Sequence, residues 1–443
     1  MNKRTIAIGF MLFALFFGAG NLIFPPSLGW RSGETFHWAI LGFIITGVGL
    51  PLIGVIAGSF SEEGFNSEAK RVHPFFAVLF MVTIYLTIGP FFAIPRTAAT
   101  AYELGASNFL DASTLNLTVG EFKLPLLVFT GIYFAIVFAL SIKPNRIVDV
   151  VGKVLTPLLL LSIIALVIRA IFVLGEPVTA IAENFNANAP LINGFLDGYE
   201  TMDTIAAVAF SIIVLKAVRA TGMDTQKEVF SNALKAALIA GTCLALIYLA
   251  LGWIGNHYPM SAQEQEMLAA NDRHYGTYIL TQVAYLTYGA GGKLLLAAIV
   301  TLACLTTAIG LVVSVSSYFS EMWPRHSYKT YAVIFTLIGF ILANQGLNQV
   351  IKGSIPVLLV IYPITIVMIV MIFIDRAFKG IPDLSFQLSI GATVLVSILS
   401  QIYAPLVNWL PFSDISMQWV LPALFGMVLG WGAGAALKKR TPA

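Results

Sequence analysis

The chain has 443 residues, of which 58% are hydrophobic and only 11% charged, with a net charge of +3. Ordinary soluble domains carry roughly 25% charged residues. A soluble protein of this size would need a charged coat that these residues cannot make, so the composition excludes one.

Apolar runs long enough to cross a bilayer, for which about 20 residues per helix suffice, recur from end to end. The clearest are 147–174, 233–254, 294–319 and 356–374. Their unbroken length argues against a membrane β-barrel, whose segments are short and alternate. The expected fold is an all-α polytopic membrane protein with twelve transmembrane helices. They are placed near 5–30, 37–60, 74–101, 123–142, 147–174, 191–218, 229–255, 292–319, 328–345, 353–374, 384–409 and 416–437. The longest connections are 175–190 and 256–291. The basic start Lys3-Arg4 also fits a signal peptide, but the apolar stretch runs past Gly20 without a small-residue cleavage site.

Basic residues orient the chain. With the N-terminus inside, eighteen of the 25 Lys and Arg fall at cytoplasmic ends, among them Lys3, Arg4, Lys143, Arg146 and Lys153. The outer side holds Arg31, Lys123, Arg273, Lys293 and Lys352, with Arg96 and Arg169 near outer helix ends. Both termini are therefore expected in the cytoplasm. The slight positive charge is a topology signal, not a nucleic-acid surface.

Other chemistry is thinly represented. Cys243 and Cys304 lie within expected spans and read as buried thiols. The five histidines sit at span ends or in loops without metal-ligand spacing, which speaks against a zinc protease. There is no Walker motif for ATP. A channel would need a continuous polar pore lining, and a membrane enzyme would need a catalytic set at one depth. Neither pattern occurs.

Three interruptions stand out in chain order. In the first span, Gly18, Gly20 and Asn21 reach mid-membrane depth ahead of Pro25-Pro26. Glycines there permit unwinding, which lipid tolerates only where the backbone lines a cavity; close packing through small residues is the other reading. In the sixth span, Asp197-Gly198-Tyr199-Glu200-Thr201-Met202-Asp203-Thr204 puts a carboxylate near the midpoint. A mid-span Asp203 is a functional candidate by position, and equally a cap for an inner half-helix. In the eighth span, Ala303-Cys304-Leu305-Thr306-Thr307 sets two hydroxyls side by side. They could join a hard cation's oxygen shell or bond back to their own helix.

The two breaks are five spans apart. Because five is odd, consecutive five-helix units must enter the membrane from opposite sides, the pattern of inverted-repeat transporters. The expected units are 1–174, broken near 18–21, and 191–375, broken near 197–203. Residues 175–190 would be an extracellular connection, and 376–443 two further helices with a cytoplasmic tail.

The segments from Phe16 to Pro26, from Thr87 to Arg96 and from Gly198 to Asp203 resemble the branched-chain amino acid carrier family, the BrnQ-type permeases. The resemblance extends over the whole chain. It implies a LeuT-like fold of 5+5 inverted repeats plus two C-terminal helices, in a bacterial cell (inner) membrane. It implies uptake of leucine, isoleucine and valine coupled to Na⁺, or to H⁺ in some members, with no other cofactor, ATPase subunit or nucleic acid. Gly18-Ala19-Gly20-Asn21 is similar to the Gly-x-Gly-Asn of LeuT-type transporters, whose backbone binds the substrate carboxylate. The substrate is expected on Gly18, Ala19, Gly20 and Asn21, with Asn21 also resembling a side-chain cation ligand, and on Thr201, Met202 and Asp203 of the second break. The sequence of that break departs from LeuT, so the side-chain pocket does not carry over. Ala14, Phe17, Ala303, Thr306 and Thr307 resemble the Na⁺ site between the first and eighth helices. Pro90, Pro95 and Arg96 match the family pattern but receive no role beyond a kinked third helix. A transporter of the same fold for another neutral amino acid or a nucleobase is the closest alternative.

Overall fold

The computed structural model describes residues 3–142, 156–183, 185–222, 225–270 and 273–440. The basic residues Lys143, Arg146 and Lys153, and the start of the expected span 147–174, lie outside the described residues. The first apolar run forms two helices, α1 (Lys3–Phe16) and α2 (Ala19–Ser32). They part at Phe17 and Gly18, so Gly20 and Asn21 already belong to α2. Next, α3 (Phe36–Ile44) and α4 (Leu50–Gly58) are joined through a π-helical turn at Ile45–Gly49. The short helix α5 (Phe65–Val72) leads into α6 (Pro74–Leu86). A second π-helical turn, Thr87–Phe91, carries the chain into α7 (Ala93–Leu104). Its cause is local: Pro90 has no N–H to give, and Gly89 leaves helical dihedrals.

A one-turn helix α8 (Ala112–Leu115) and a small hairpin, Thr118–Val119 with Phe122–Lys123, precede α9 (Leu124–Ser141) and α10 (Thr156–Val173). The second broken run comprises α11 (Pro190–Asp197), a 3-10 turn at Gly198–Thr201, and α12 (Asp203–Arg219), bent by 47°. Met202 makes the corner with left-handed backbone, φ 68°. α13 (Gln226–Asn256) follows. The connection expected at 256–291 is largely helical, with α14 (Ala262–Ala270) and α15 (Tyr275–Tyr288). The remaining helices are α16 (Ala290–Met322), α17 (Tyr328–Ala343), α18 (Leu347–Ala377), α19 (Asp383–Ile402) and α20 (Val420–Arg440). The eleventh span stops at Ile402 rather than 409, because Tyr403 leaves helical dihedrals and Pro405 beyond it has no N–H to continue the helix.

Among the described residues, nine helical segments are long and apolar enough to cross a membrane, or ten with the bent pair α11–α12. The twelve spans read from sequence count differently. α1 and α2 have only 14 residues each, α2 runs on through α4 as one 40-residue stretch, and α17 has 16. Packing sorts the helices into two groups. α1, α2, α3, α4, α11, α12 and α13 pack on one another, as do α7, α9, α16 and α17. The broken helices lie in the first group, and their breaks face α7 and α16 of the second. α19 and α20 pair beside α18. Large apolar side chains such as Phe75, Leu161, Phe172 and Phe425 stay exposed on the outside, as a surface facing acyl chains requires.

Candidate functional site

A helix that stops inside a protein leaves orphan groups. α1 ends on carbonyls without N–H partners, and α2 starts on N–H groups without acceptors. Asn21 addresses one of these, its Oδ1 accepting from the Gly18 amide at 3.0 Å. The first helical amides, at Ala19 and Gly20, have no acceptor within the helix. The α1 end meets hydroxyls from α16. Thr306 and Thr307 both donate to the Ala14 carbonyl, at 3.1 and 3.2 Å, and Thr306 also reaches the Ala303 carbonyl at 2.9 Å. Gly18 makes this approach possible. A Cβ there would sit 2.9 Å from Thr307 Oγ1. Thr306 does bond back to a carbonyl of its own helix, as α-helical threonines do, yet both threonines reach a second helix. Ala14, Ala303, Thr306 and Thr307 thus form one neutral oxygen cluster. Phe17 stands in the gap beside it, and the threonines do not reach its carbonyl.

The second break is charged. Asp203 is the first residue of α12 and not its cap; Met202 holds that place. The Asp203 carboxylate accepts from Asn21 Nδ2 at 2.6 Å and from the Tyr248 hydroxyl of α13 at 3.0 Å. Asn21 Nδ2 also contacts the Tyr248 oxygen. All three side chains are buried, and they tie both breaks to α13. The Thr201 hydroxyl bonds to the Gly198 carbonyl at 2.8 Å and receives the Asp203 amide at 3.3 Å, which shapes the turn. The π-helical turn at Ile45–Gly49 supports it from behind. Thr46 donates to the Phe195 carbonyl at 2.8 Å, and Thr204 donates to the Thr46 carbonyl at 3.1 Å.

Arg96 is where the structure corrects the sequence reading most. Placed near an outer helix end by the sequence, it is 3% exposed and lies at the depth of both breaks. Its Nη1 donates to the Glu200 carbonyl at 2.5 Å and its Nη2 to the Thr201 carbonyl at 3.0 Å. Two carbonyls freed by the second break are therefore occupied by the protein itself. Phe24 lies under the guanidinium, 5.5 Å from its ring centre. Gly20 clears the space, since a Cβ there would meet Nη2 at 2.9 Å. Gly20 thus serves close packing; the unwinding is confined to Phe17 and Gly18.

Between these groups is a small cavity of about 20 Å³. Gly18, Ala19, Asn21, Arg96, Thr201, Asp203 and Thr307 supply its polar wall, while Leu15, Phe16, Ile88, Met202, Phe210 and Leu311 supply an apolar one. Aromatic pairs pack on both half-helices. Phe13 stacks on Phe17 and Phe16 meets Phe210 edge-on, on the α1 side. Phe24 meets His274, and Trp30 stacks on Tyr275 of α15, on the α2 side. The helical connection thus packs on α2. Of the residues singled out by sequence, only Phe17 and Gly20 are absent from both the oxygen cluster and the cavity wall, and each abuts one of them. Sequence reasoning missed Tyr248, the reach of Arg96 and the apolar wall. For Tyr248 the available signal was a hydroxyl buried in an otherwise apolar run, Leu244 to Ala250.

A family described as branched-chain amino acid transport protein matches residues 1–435 of this chain. A Staphylococcus saprophyticus protein, provisionally named a branched-chain amino acid carrier protein, is 45% identical over 100% of this chain and 99% of its own. Among solved structures, Mhp1 superposes with a TM-score of 0.65 at 14% identity, covering 99% of this chain and 93% of that one. It is a nucleobase-cation-symport-1 family transporter in a closed conformation with bromovinylhydantoin bound. MhsT in complex with L-phenylalanine gives 0.57 at 16% identity, over 94% of this chain and 98% of its own. These likenesses define the fold as that of LeuT-like transporters.

Proposed function

The chain belongs to the branched-chain amino acid transport protein family, and from that premise we propose that it imports leucine, isoleucine and valine by cation-coupled symport. The observation that carries the reading is the joining of a neutral oxygen cluster and a charged polar wall to one small, half-apolar cavity. An aliphatic zwitterion needs all three surfaces. Its carboxylate would meet the α2 amides at Ala19 and Gly20, where the helix dipole and unpaired N–H groups favour an anion. Since Arg96 holds the Glu200 and Thr201 carbonyls, the ammonium is left with Asp203 and the carbonyls that end α1. The side chain would lie on Ile88, Phe210 and Leu311. Each buried methylene contributes about 0.8 kcal/mol, so pocket size decides among small apolar residues.

The coupling ion would be Na⁺, held by Ala14, Phe17, Ala303, Thr306 and Thr307; a proton is the other candidate. Ion and substrate would be linked through the shared break at Phe17 and Gly18, each favouring the conformation that the other binds. The two five-helix units, 1–174 and 191–375, would then move about the fixed site, with 376–443 appended. We place the chain in a bacterial cell (inner) membrane with both termini cytoplasmic.

The test is uptake of labelled leucine into proteoliposomes, with Na⁺ and proton gradients applied separately. Unlabelled isoleucine and valine should compete, and lysine and glutamate should not. Strong competition by a charged amino acid, or by a nucleobase in place of leucine, would overturn the substrate assignment. Uptake driven by the proton gradient alone would move the coupling ion to H⁺.

A further inference from the structure

We propose that Arg96 is a substrate-binding residue that receives the carboxylate of the transported amino acid, together with the amides at the start of α2. The inference rests on the functional reading above and adds a residue to its site. A buried guanidinium without a carboxylate partner is costly, and proteins keep one where an anion is to arrive. Among the described residues, no carboxylate lies within ion-pair distance of Arg96. Asp203, the acidic member of the cavity wall, gives its carboxylate to Asn21 and Tyr248 instead. The two carbonyls satisfy only two of the five N–H donors that a guanidinium carries. Nε is buried and has no partner at all.

The unused donors have a direction. Nε and the second hydrogen of Nη2 form one edge of the guanidinium, the fork that pairs with both oxygens of a carboxylate. Nη2 is the atom that Gly20 admits, so this edge lies against the first turn of α2. Two anion-seeking groups therefore meet at one wall of the cavity. The hydrogen bonds to Glu200 and Thr201 and the Phe24 ring hold the guanidinium plane in place, so little rotamer freedom is lost when the substrate arrives.

The experiment compares leucine with leucinamide, which keeps the ammonium and side chain but has no carboxylate. Equilibrium binding is measured on purified full-length protein in detergent. Wild type should prefer leucine strongly. In Arg96→Gln, leucine affinity should fall about 100-fold while leucinamide affinity stays nearly constant, so the preference collapses. Equal losses for both ligands would assign Arg96 a structural role and overturn the proposal. A preference that survives intact would give the carboxylate to the α2 amides alone, which also overturns it. If Arg96→Gln does not fold, Gly20→Ala serves in its place. Its methyl would displace Nη2 with the arginine retained, and the same collapse is expected. Wild type that binds none of leucine, isoleucine and valine would defeat the functional reading and this inference together, whereas wild-type binding with an unchanged preference in the variants defeats only the inference.

Discussion

Ala19 separates two glycines that admit different chemistry. On one side Gly18 lets Thr307 close on the end of α1, and the result is a neutral cluster of hydroxyls and carbonyls. On the other, Gly20 lets Arg96 close on the start of α2, and the result is a wall of ionisable groups. The first region is poor in charge and rich in oxygen, which suits a desolvated cation without a fixed counterion. The second is already tied together by Asn21, Asp203 and Tyr248, with Arg96 held only by backbone carbonyls. A single helix break thus presents the negative end of one half-helix and the positive end of the other. What differs is which side chains the neighbouring helices send to each end.

If that division is right, damage to the charged wall should weaken binding of the amino acid far more than it changes the ion's affinity at saturating leucine. Asp203→Asn gives the largest expected effect. It preserves the shape but deletes the charge, and leaves Asn21 and Tyr248 with a weaker acceptor. Leucine uptake should fall about 100-fold, with the protein still monodisperse on size exclusion. The residual uptake should keep its Na⁺ half-saturation. Uptake near wild type would leave Asp203 only a role in shaping the turn, and a large shift in Na⁺ dependence would erase the division.

Damage to the neutral cluster should do the reverse. Thr306→Val and Thr307→Val each remove one oxygen and keep the branched shape. Either should raise the Na⁺ concentration for half-maximal leucine uptake about tenfold. The two should also differ, because Thr307 borders the cavity and Thr306 does not. Only Thr307→Val should alter the competition among leucine, isoleucine and valine. Unchanged half-saturation in both variants would remove the threonines from the ion site, and the coupling ion would be sought elsewhere or be a proton.

Much of this was legible in the sequence for physical reasons that act locally. Run length and composition report lipid exposure, and Gly18 or Gly198 within an apolar run reports a break. The Ala303-to-Thr307 spacing places the hydroxyls on one helical face. What stayed hidden acts across the chain. Asn21 and Asp203 are 182 positions apart, Asn21 and Tyr248 are 227 apart, and Arg96 and Thr201 are 105 apart. No local pattern encodes those meetings. The helix α15 was hidden by its own composition, since its tyrosines and threonines read as a polar connection until they pack on Trp30 and α2. The end of the eleventh span was overrun because Leu406 to Leu410 is apolar, although Pro405 ends the helix.

The finest test of the division is Tyr248. Its hydroxyl gives the Asp203 carboxylate one of two side-chain donors, and its ring packs edge-on against Phe43, 5.2 Å between centres. Tyr248→Phe keeps the ring and therefore the packing of α13 on the first π-helical turn. It deletes a single hydrogen bond, while Asn21 still holds the same oxygen at 2.6 Å. Loss of one of two donors to a buried carboxylate costs about 1 kcal/mol, so leucine affinity should fall about fivefold. The Na⁺ half-saturation should not move, because the hydroxyl lies on the charged side of Ala19. Direct leucine binding to wild type and Tyr248→Phe, at fixed and at varied Na⁺, measures both quantities. A fivefold change appearing in the ion's affinity instead would mean that the Asp203 network belongs to the cation, and that the two sides of the break form one site.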